Sequence, residues 1–293
     1  MPIIRRFKQV DVFTQIPFTG NPLAVVLDAD GLTVEQMQDI ARWTNLSETA
    51  FALPPTDPLA DYRLRIFTPE SELPFAGHPT LGSAHALLES GLRVSSPGQL
   101  IQQCDIGLVP INISSDGQLA FHAPPATIAP FAVERYPLLE QTLGSADINR
   151  SYPPASVDMG IRWLVIRMDS AATCLDIHPD ALALAALQQA CEVDGIAIYG
   201  PHDNGDPADY EARAFYIERG GLKEDPVTGS ANACMACLLR HQHYPDNIAS
   251  RQGYLVRQGV KRQCDGRIAV SYINDEPWVG GHSVTIIDGT LQV

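Results

Sequence analysis

Two short stretches carry side chains spaced for proton chemistry beside an anion. HPTLGSAHA at 78 to 86 lies against DPVTGSANA at 225 to 233 without a gap, at an offset of 147, sharing Pro, Gly, Ser, Ala and Ala at five of nine positions. In each copy, proline at the first helical position puts the preceding residue, His78 or Asp225, at the N-cap. Each helix start then carries a titratable group. Gly82-Ser83 and Gly229-Ser230 leave the first turn open, so backbone N–H groups and a hydroxyl can meet an anion favoured by the helix dipole. A carboxylate substrate fits such a place better than a cation does. Read alone, Asp225 is an ordinary helix cap before proline, and His78 is a neutral core histidine bonded to a backbone carbonyl. The repeat shifts that balance. Histidine is a poor cap, and finding it where the duplicate has aspartate points to proton chemistry at that position.

The elements that must hold these groups follow the same duplication. The offset of 147 is about half of the 293 residues, so the match spans two halves of the chain, and strand residues upstream match as well after a one-residue slip, Arg65 and Phe67 answering Arg213 and Phe215. Strand patterns run through 8 to 13, 23 to 28, 49 to 53 and the alternating YRLRIF at 62 to 67. Further strands are predicted at 108 to 113, 118 to 123, 163 to 168, 195 to 199, 212 to 217, 253 to 258 and 267 to 272, with a C-terminal strand pattern beyond. Thr33 with Gln36 forms a capping box ahead of an apolar stripe, Val34, Met37, Ile40 and Ala41, which predicts a helix over 34 to 44. Other helices are predicted near 79 to 90, 136 to 143, 179 to 191 and 226 to 241. The proline-rich stretch from about 124 to 137 is the candidate linker. If the pseudo-symmetry sets the two helix starts face to face, one cleft receives His78 from one half and Asp225 from the other.

Composition excludes several function classes. With 20 basic against 34 acidic residues and no local basic patch, the chain repels phosphate backbones and anionic lipid, so no nucleic-acid or membrane partner is expected. No apolar run approaches the roughly 20 residues needed to span a bilayer, and MPIIRRFKQVDVF lacks the apolar stretch of a signal peptide. Six scattered cysteines do not make a disulfide scaffold, and a reduced cytoplasm is the expected setting. Cys234 and Cys237 form a C-x-x-C inside the apolar ANACMACLL, where packing is expected ahead of redox or metal chemistry. GHPTLGS has the glycine spacing of a phosphate loop without its lysine. Neither a metal nor an organic cofactor is implied.

Five blocks in order, GNPLAVV at 20 to 26, NLSETAF at 45 to 51, RIFTPESELPFAGHPTLG at 65 to 82, EDPVTGSA at 224 to 231 and VGGHSV at 279 to 284, resemble the PhzF-like family of phenazine-biosynthesis isomerases. The resemblance implies an α+β, diaminopimelate-epimerase-like fold: two pseudo-symmetric domains, each a β-barrel-like sheet around a central helix, with the active site between them. It divides the chain into 1–124 with a strand returning at about 279–293, and 125–278. It implies a homodimer and a small carboxylate substrate. Carried over residue by residue, it makes Glu48 the general acid/base, supported by His78 and Asp225 with Ser230 following, while Gly77, Gly82, Ser83 and Gly229 at the two helix starts complete the candidate substrate-binding set. Without it, Glu48 reads as a solvent-exposed strand residue. The implied activity is isomerisation by a suprafacial proton shift on an activated carboxylate, without a cofactor. An epimerase using Glu48 and Asp225 as a two-base pair, and a binding protein that keeps only the anion cleft, stand as alternatives. The segment after Gln258-Gly259, VKRQCDGR, departs from the family's usual turn.

Overall fold

The computed structural model of the chain describes residues 3–246 and 252–293, which fall into two compact units, 1–122 with 280–293, and 123–279. The first unit contains β1 (Ile4–Val12), β2 (Asn21–Val26), α1 (Val34–Thr44), β3 (Thr49–Leu53), β4 (Tyr62–Phe67), β5 (Glu72–Leu73), α2 (Gly77–Glu89), β6 (Gln99–Cys104), β7 (Gly107–Ile113) and β8 (Leu119–His122). The second contains β9 (Thr127–Pro130), α3 (Tyr136–Leu143), β10 (Ala155–Asp158), β11 (Arg162–Arg167), α4 (Ala171–Asp176), α5 (Ala181–Cys191), β12 (Gly195–Pro201), β13 (Tyr210–Glu218), β14 (Gly221–Asp225), α6 (Gly229–His241), β15 (Gly253–Gln258), β16 (Gly266–Ile273) and β17 (Glu276–Gly281). The chain then returns to the first unit as β18 (Ser283–Gln292), antiparallel to β1.

Within the first unit the strands run β18-β1-β2-β3-β4-β6-β7-β8, with β2–β3 and β4–β6 parallel and the other pairs antiparallel, while β5 pairs with the far end of β4. Tyr62, Leu64 and Ile66 of YRLRIF are buried and Arg63 and Arg65 are less so, the period-two pattern of a strand with one face on a core. Helix α2 packs against β1, β2, β3, β4, β8 and β18. A helix surrounded by sheet has no solvent face, which is why GHPTLGSAHALLE is apolar or small nearly all round. Helix α1 crosses over the outside, its capping box closed by Gln36 N–H to Thr33 Oγ1 at 3.2 Å and Thr33 N–H to Gln36 Oε1 at 2.9 Å.

Taken by itself, the second unit has the same strand order, except that its first edge strand, β9, precedes β10 in the chain, whereas β18 ends it. Its strands run β9-β10-β11-β12-β13-β15-β16-β17, with β11–β12 and β13–β15 parallel and β14 on the far end of β13. Helix α6 packs on β10, β11 and β16, and α3, α4 and α5 cover the outside through Leu139, Leu143, Cys174, Leu184 and Leu187 against Ile166, Ile198 and Phe215.

Three expectations from sequence are corrected. The stretch from 124 to 137 is not a bare linker: Thr127–Pro130 pairs with β10 as an edge strand, the position where proline's missing N–H is tolerated. Neither His78 nor Asp225 is an N-cap. Helix α2 starts at Gly77 with Ala76 as its N-cap, so His78 is the second helical residue and Pro79 the third. Helix α6 starts at Gly229 with Thr228 as N-cap, and Asp225 is the last residue of β14, extended as residues before proline prefer to be.

Candidate active site

Glu48 is placed by a tight return. Helix α1 ends at Asn45 in the left-handed conformation, and after three more residues β3 begins at Thr49, parallel to β2 through Ala24. A hydroxyl contact of 2.8 Å between Thr44 and Thr49 closes the base of that return. Glu48 is therefore a loop residue at the mouth of β3 with its side chain 16% exposed, and not an open strand residue. From the start of α2, the His78 ring places Nε2 3.5 Å from Glu48 Oε2, with the His78 side chain 6% exposed. At that separation the carboxylate and imidazole sit within each other's field in a largely desolvated place, and one proton can be handed between them after a small closure.

The glycines and serines of the two copies do not behave alike. Gly77 is the first residue of α2. Gly82 lies in the second turn, where an added Cβ would come 2.7 Å from Leu23 Cδ2 and 2.8 Å from Val12 Cγ2, so its smallness serves packing of the helix on β1 and β2. Ser83 beside it is fully buried, and its hydroxyl has no hydrogen-bond partner among the described residues. A helix that begins at Gly77 carries Gly82 and Ser83 past its first turn, and not within it as read from sequence. Gly229 and Ser230 are the first two residues of α6 and keep their place at a helix N-terminus, where amide N–H groups favour an anion. Ser230 Oγ accepts a 3.0 Å hydrogen bond from the Trp163 indole N–H.

Sheet register also corrects the repeat. Glu72 pairs with Phe67 and Glu224 with Phe215, and each central helix begins five residues after its glutamate and runs for 13. The helices therefore correspond at an offset of 152, which puts His78 on Ser230, Gly77 on Gly229 and Ala76 on Thr228. The gap-free match at 147 fails because β13 has nine residues where β4 has six, and the longer hairpin shifts everything after it.

Around Asp225 the second unit holds residues that sequence reasoning left out. Thr228 Oγ1 donates to Asp225 Oδ2 at 2.6 Å, and the buried Gln258 and Asn232 bond to Thr228 in turn. Thr228 was visible only as a letter in DPVTGSA, and Gln258 stands 30 residues downstream on another strand, so no local spacing links them. Cys234 and Cys237 are buried inside α6, where burial pushes the Cys237 thiol up to about 11 and that of Cys234 well above its ordinary value; both pack as thiols. Among the described residues, no group of three His, Cys, Asp or Glu side chains is arranged to hold a metal ion, and no helix is long and apolar enough to cross a membrane.

The profile of the phenazine biosynthesis-like proteins (PhzC-PhzF) matches residues 10–289. The chain is 37% identical to antisense-enhancing sequence 1 of Schizosaccharomyces pombe, over 97% of each chain. It is 34% identical to a trans-2,3-dihydro-3-hydroxyanthranilate isomerase of Pseudomonas aeruginosa, over 83% of this chain and 82% of that one. Among solved structures, a PhzF-family phenazine biosynthesis protein of Bacillus anthracis superposes with a TM-score of 0.83 at 25% identity, covering 99% of this chain and all of the other.

Proposed function

The chain belongs to the phenazine biosynthesis-like family and is an isomerase of diaminopimelate-epimerase-like fold, and on that premise we propose that it shifts a proton on a small carboxylic acid with Glu48 as the single acid/base. The observation that carries this reading is the Glu48–His78 pair, a carboxylate and an imidazole 3.5 Å apart and mostly withdrawn from water. A carboxylate fully hydrated in bulk water is a poor base toward a carbon-bound proton, which is why the withdrawal of this pair from water matters to the reading. In the proposed step the C–H bond of a carbon activated by conjugation breaks toward Glu48. The electron pair spreads into the conjugated system, and the protonated Glu48 returns the proton to a second carbon on the same face. His78 stabilises charge on Glu48 and on the substrate; Asp225 and Ser230, with the first amides of the helices at Gly77 and Gly229, orient it.

The substrate class rests on the relative's name. Trans-2,3-dihydro-3-hydroxyanthranilate, a conjugated carboxylic acid with an acidified C–H, is the first compound to test. Incubated with the protein in deuterated water, it should lose one carbon-bound hydrogen signal by NMR and gain deuterium at another carbon. Glu48→Gln should slow this by about 10²–10⁴-fold. A variant that exchanged as fast as the parent would remove Glu48 from the mechanism.

A further inference from the structure

Beside the candidate residues, the second unit contains a run of hydrogen bonds whose direction can be worked out from which groups are obliged to donate. The start is the Thr228 carbonyl, an acceptor only, which takes a 2.9 Å bond from Asn232 Nδ2 and so fixes which end of the Asn232 amide faces it. The same Nδ2 donates to Gln258 Oε1 at 2.9 Å, and the Thr228 backbone N–H donates to that oxygen at 3.1 Å. Two donors on one oxygen settle the orientation of the Gln258 amide. Its nitrogen must then face Thr228 Oγ1, to which it donates at 2.8 Å. The hydroxyl receives that bond and spends its own proton on Asp225 Oδ2 at 2.6 Å. Thr228, Asn232 and Gln258 are each at most 5% exposed, so water does not scramble the order.

The first unit supplies an internal control. There Tyr62 O–H donates to Gln102 Oε1 at 2.9 Å, Gln102 Nε2 donates to Thr80 Oγ1 at 3.0 Å, and the Thr80 hydroxyl donates to the Ala76 carbonyl at 2.9 Å. A buried glutamine again drives a threonine proton one way, and the terminus is a backbone carbonyl that can only accept. By the same logic, a proton on Asp225 Oδ2 would displace the Thr228 proton from its acceptor, and a proton on Oδ1 would weaken Oδ2 as that acceptor, so donation from Thr228 favours the ionised carboxylate.

We propose that Gln258, Asn232 and Thr228 are positioning residues that hold Asp225 as an ionised acceptor, so that Asp225 serves the reaction as a fixed negative charge and not as a proton donor. The inference rests on the reading of Asp225 as part of the site, and it separates the single-base isomerase from a two-base epimerase in which Asp225 would have to carry a proton in one half-reaction.

The test is the titration of Asp225 itself. In the full-length protein labelled with [4-13C]aspartate, its carboxyl resonance is identified by its absence in Asp225→Asn and followed against pH. Thr228→Val, which loses the donor, should titrate about one pH unit above the parent. Thr228→Ser, which keeps the hydroxyl, should titrate as the parent does. Gln258→Leu leaves the hydroxyl free to turn and should move the midpoint in the direction of Thr228→Val. Equal midpoints for the parent and a folded Thr228→Val or Gln258→Leu, or a protonated Asp225 in the parent at pH 7, would overturn the proposal. Deuterium exchange with trans-2,3-dihydro-3-hydroxyanthranilate is scored separately. If Asp225→Asn exchanged as fast as the parent while the titrations shifted as expected, Asp225 would lose its place in the reaction and the hydrogen-bond chain would stand.

Discussion

In the first unit β3 is entered through Glu48, and α2 answers it with His78. In the second unit register places Gly195 where Glu48 stands, since Thr49 pairs with Phe67 as Ile196 pairs with Phe215, and α6 carries Ser230 in the place of His78. The space a side chain would need at Gly195 is filled: an added Cβ would lie 2.5 Å from the Trp163 ring and 2.6 Å from the Phe215 carbonyl. The supporting frame, by contrast, is the same in both. Arg65 makes a two-pronged ion pair with Glu72 at 2.6 Å on both arms, its guanidinium 5.3 Å from the Phe67 ring; Arg213 does so with Glu224 at 2.8 and 3.1 Å, 4.7 Å from Phe215. Duplication has kept the brace and differentiated the side chains near each helix start: a carboxylate and an imidazole in one unit, a hydroxyl and a hydrogen-bonded carboxylate in the other. On the proposed mechanism, a proton that leaves and returns on one face needs one base, and this asymmetry fits that requirement.

The comparison breaks most sharply if the second unit can supply the missing base. Glu48→Gln should lower proton exchange by about 10²–10⁴-fold, the usual worth of a positioned general base. Adding Gly195→Glu to that variant should restore nothing, because the new side chain meets the Trp163 ring. Recovered exchange in the double variant would mean the two strand mouths are interchangeable.

Next in size is the brace. Arg213 is 4% exposed and also donates to the carbonyls of Cys174 and Ile177 at the end of α4, whereas the Arg65 side chain is 18% exposed and Glu72 beside it 26%. Arg213→Ala strands Glu224 and those carbonyls away from water and should cost about 3–5 kcal/mol in guanidinium denaturation. Arg65→Ala should cost about 1–2 kcal/mol, since solvent recovers part of what is lost. Equal costs would show that the shared geometry, and not its burial, sets the energy.

A third contrast lies two residues upstream, where register puts Arg63 in one unit and Glu211 in the other. Glu211 is fully buried; Oε2 lies 3.2 Å from His202 Nε2, while Oε1 has no hydrogen-bond partner among the described residues. Desolvation, opposed by Arg257, Arg213 and Arg267, pushes its carboxyl up to about 7. The folded state therefore holds a proton that the unfolded chain releases near pH 4.5, and this group's contribution to stability falls as pH rises from there to about 7. Glu211→Gln should match the parent in stability near pH 4.5 and exceed it by up to about 3 kcal/mol at pH 8. A stability difference independent of pH would mean that Glu211 titrates alike in the folded and unfolded chain.

Several elements were legible because their signals are local. The capping box at Thr33 and the stripe that follows fix α1 at Val34–Thr44, and the alternation of YRLRIF fixes β4 at Tyr62–Phe67, both as read. The starts of α2 and α6 were misread because the preference of proline for the first helical position was applied to Pro79 and Pro226, one of which is the third helical residue and the other outside the helix. That error put Gly82 and Ser83 in the first turn, and it made a five-residue coincidence look like the repeat. Glu48 had no local signal at all and came from family resemblance. Thr228, Asn232 and Gln258 were invisible for another reason: their meaning lies in the direction of hydrogen bonds between a helix and a strand.

The smallest effect tests the helix position that the units share. If His78 and Ser230 differ in task as they differ in type, removing the hydroxyl should weaken binding and leave the chemical step nearly alone. Ser230 Oγ accepts from Trp163 Nε1 at 3.0 Å, which leaves its single proton to be given elsewhere, and a substrate carboxylate is the acceptor that a helix N-terminus favours. Ser230→Ala should therefore raise KM about tenfold with kcat changed little, the loss of one hydrogen bond to a charged group made equally in ground and transition states. Trp163→Phe keeps a ring against Gly195 but withdraws the indole donor, so the hydroxyl is free to turn, and KM should rise only about threefold. A fall in kcat for Ser230→Ala as large as that for Glu48→Gln would put Ser230 in the proton-transfer step, and the two units would then share the chemistry they here divide.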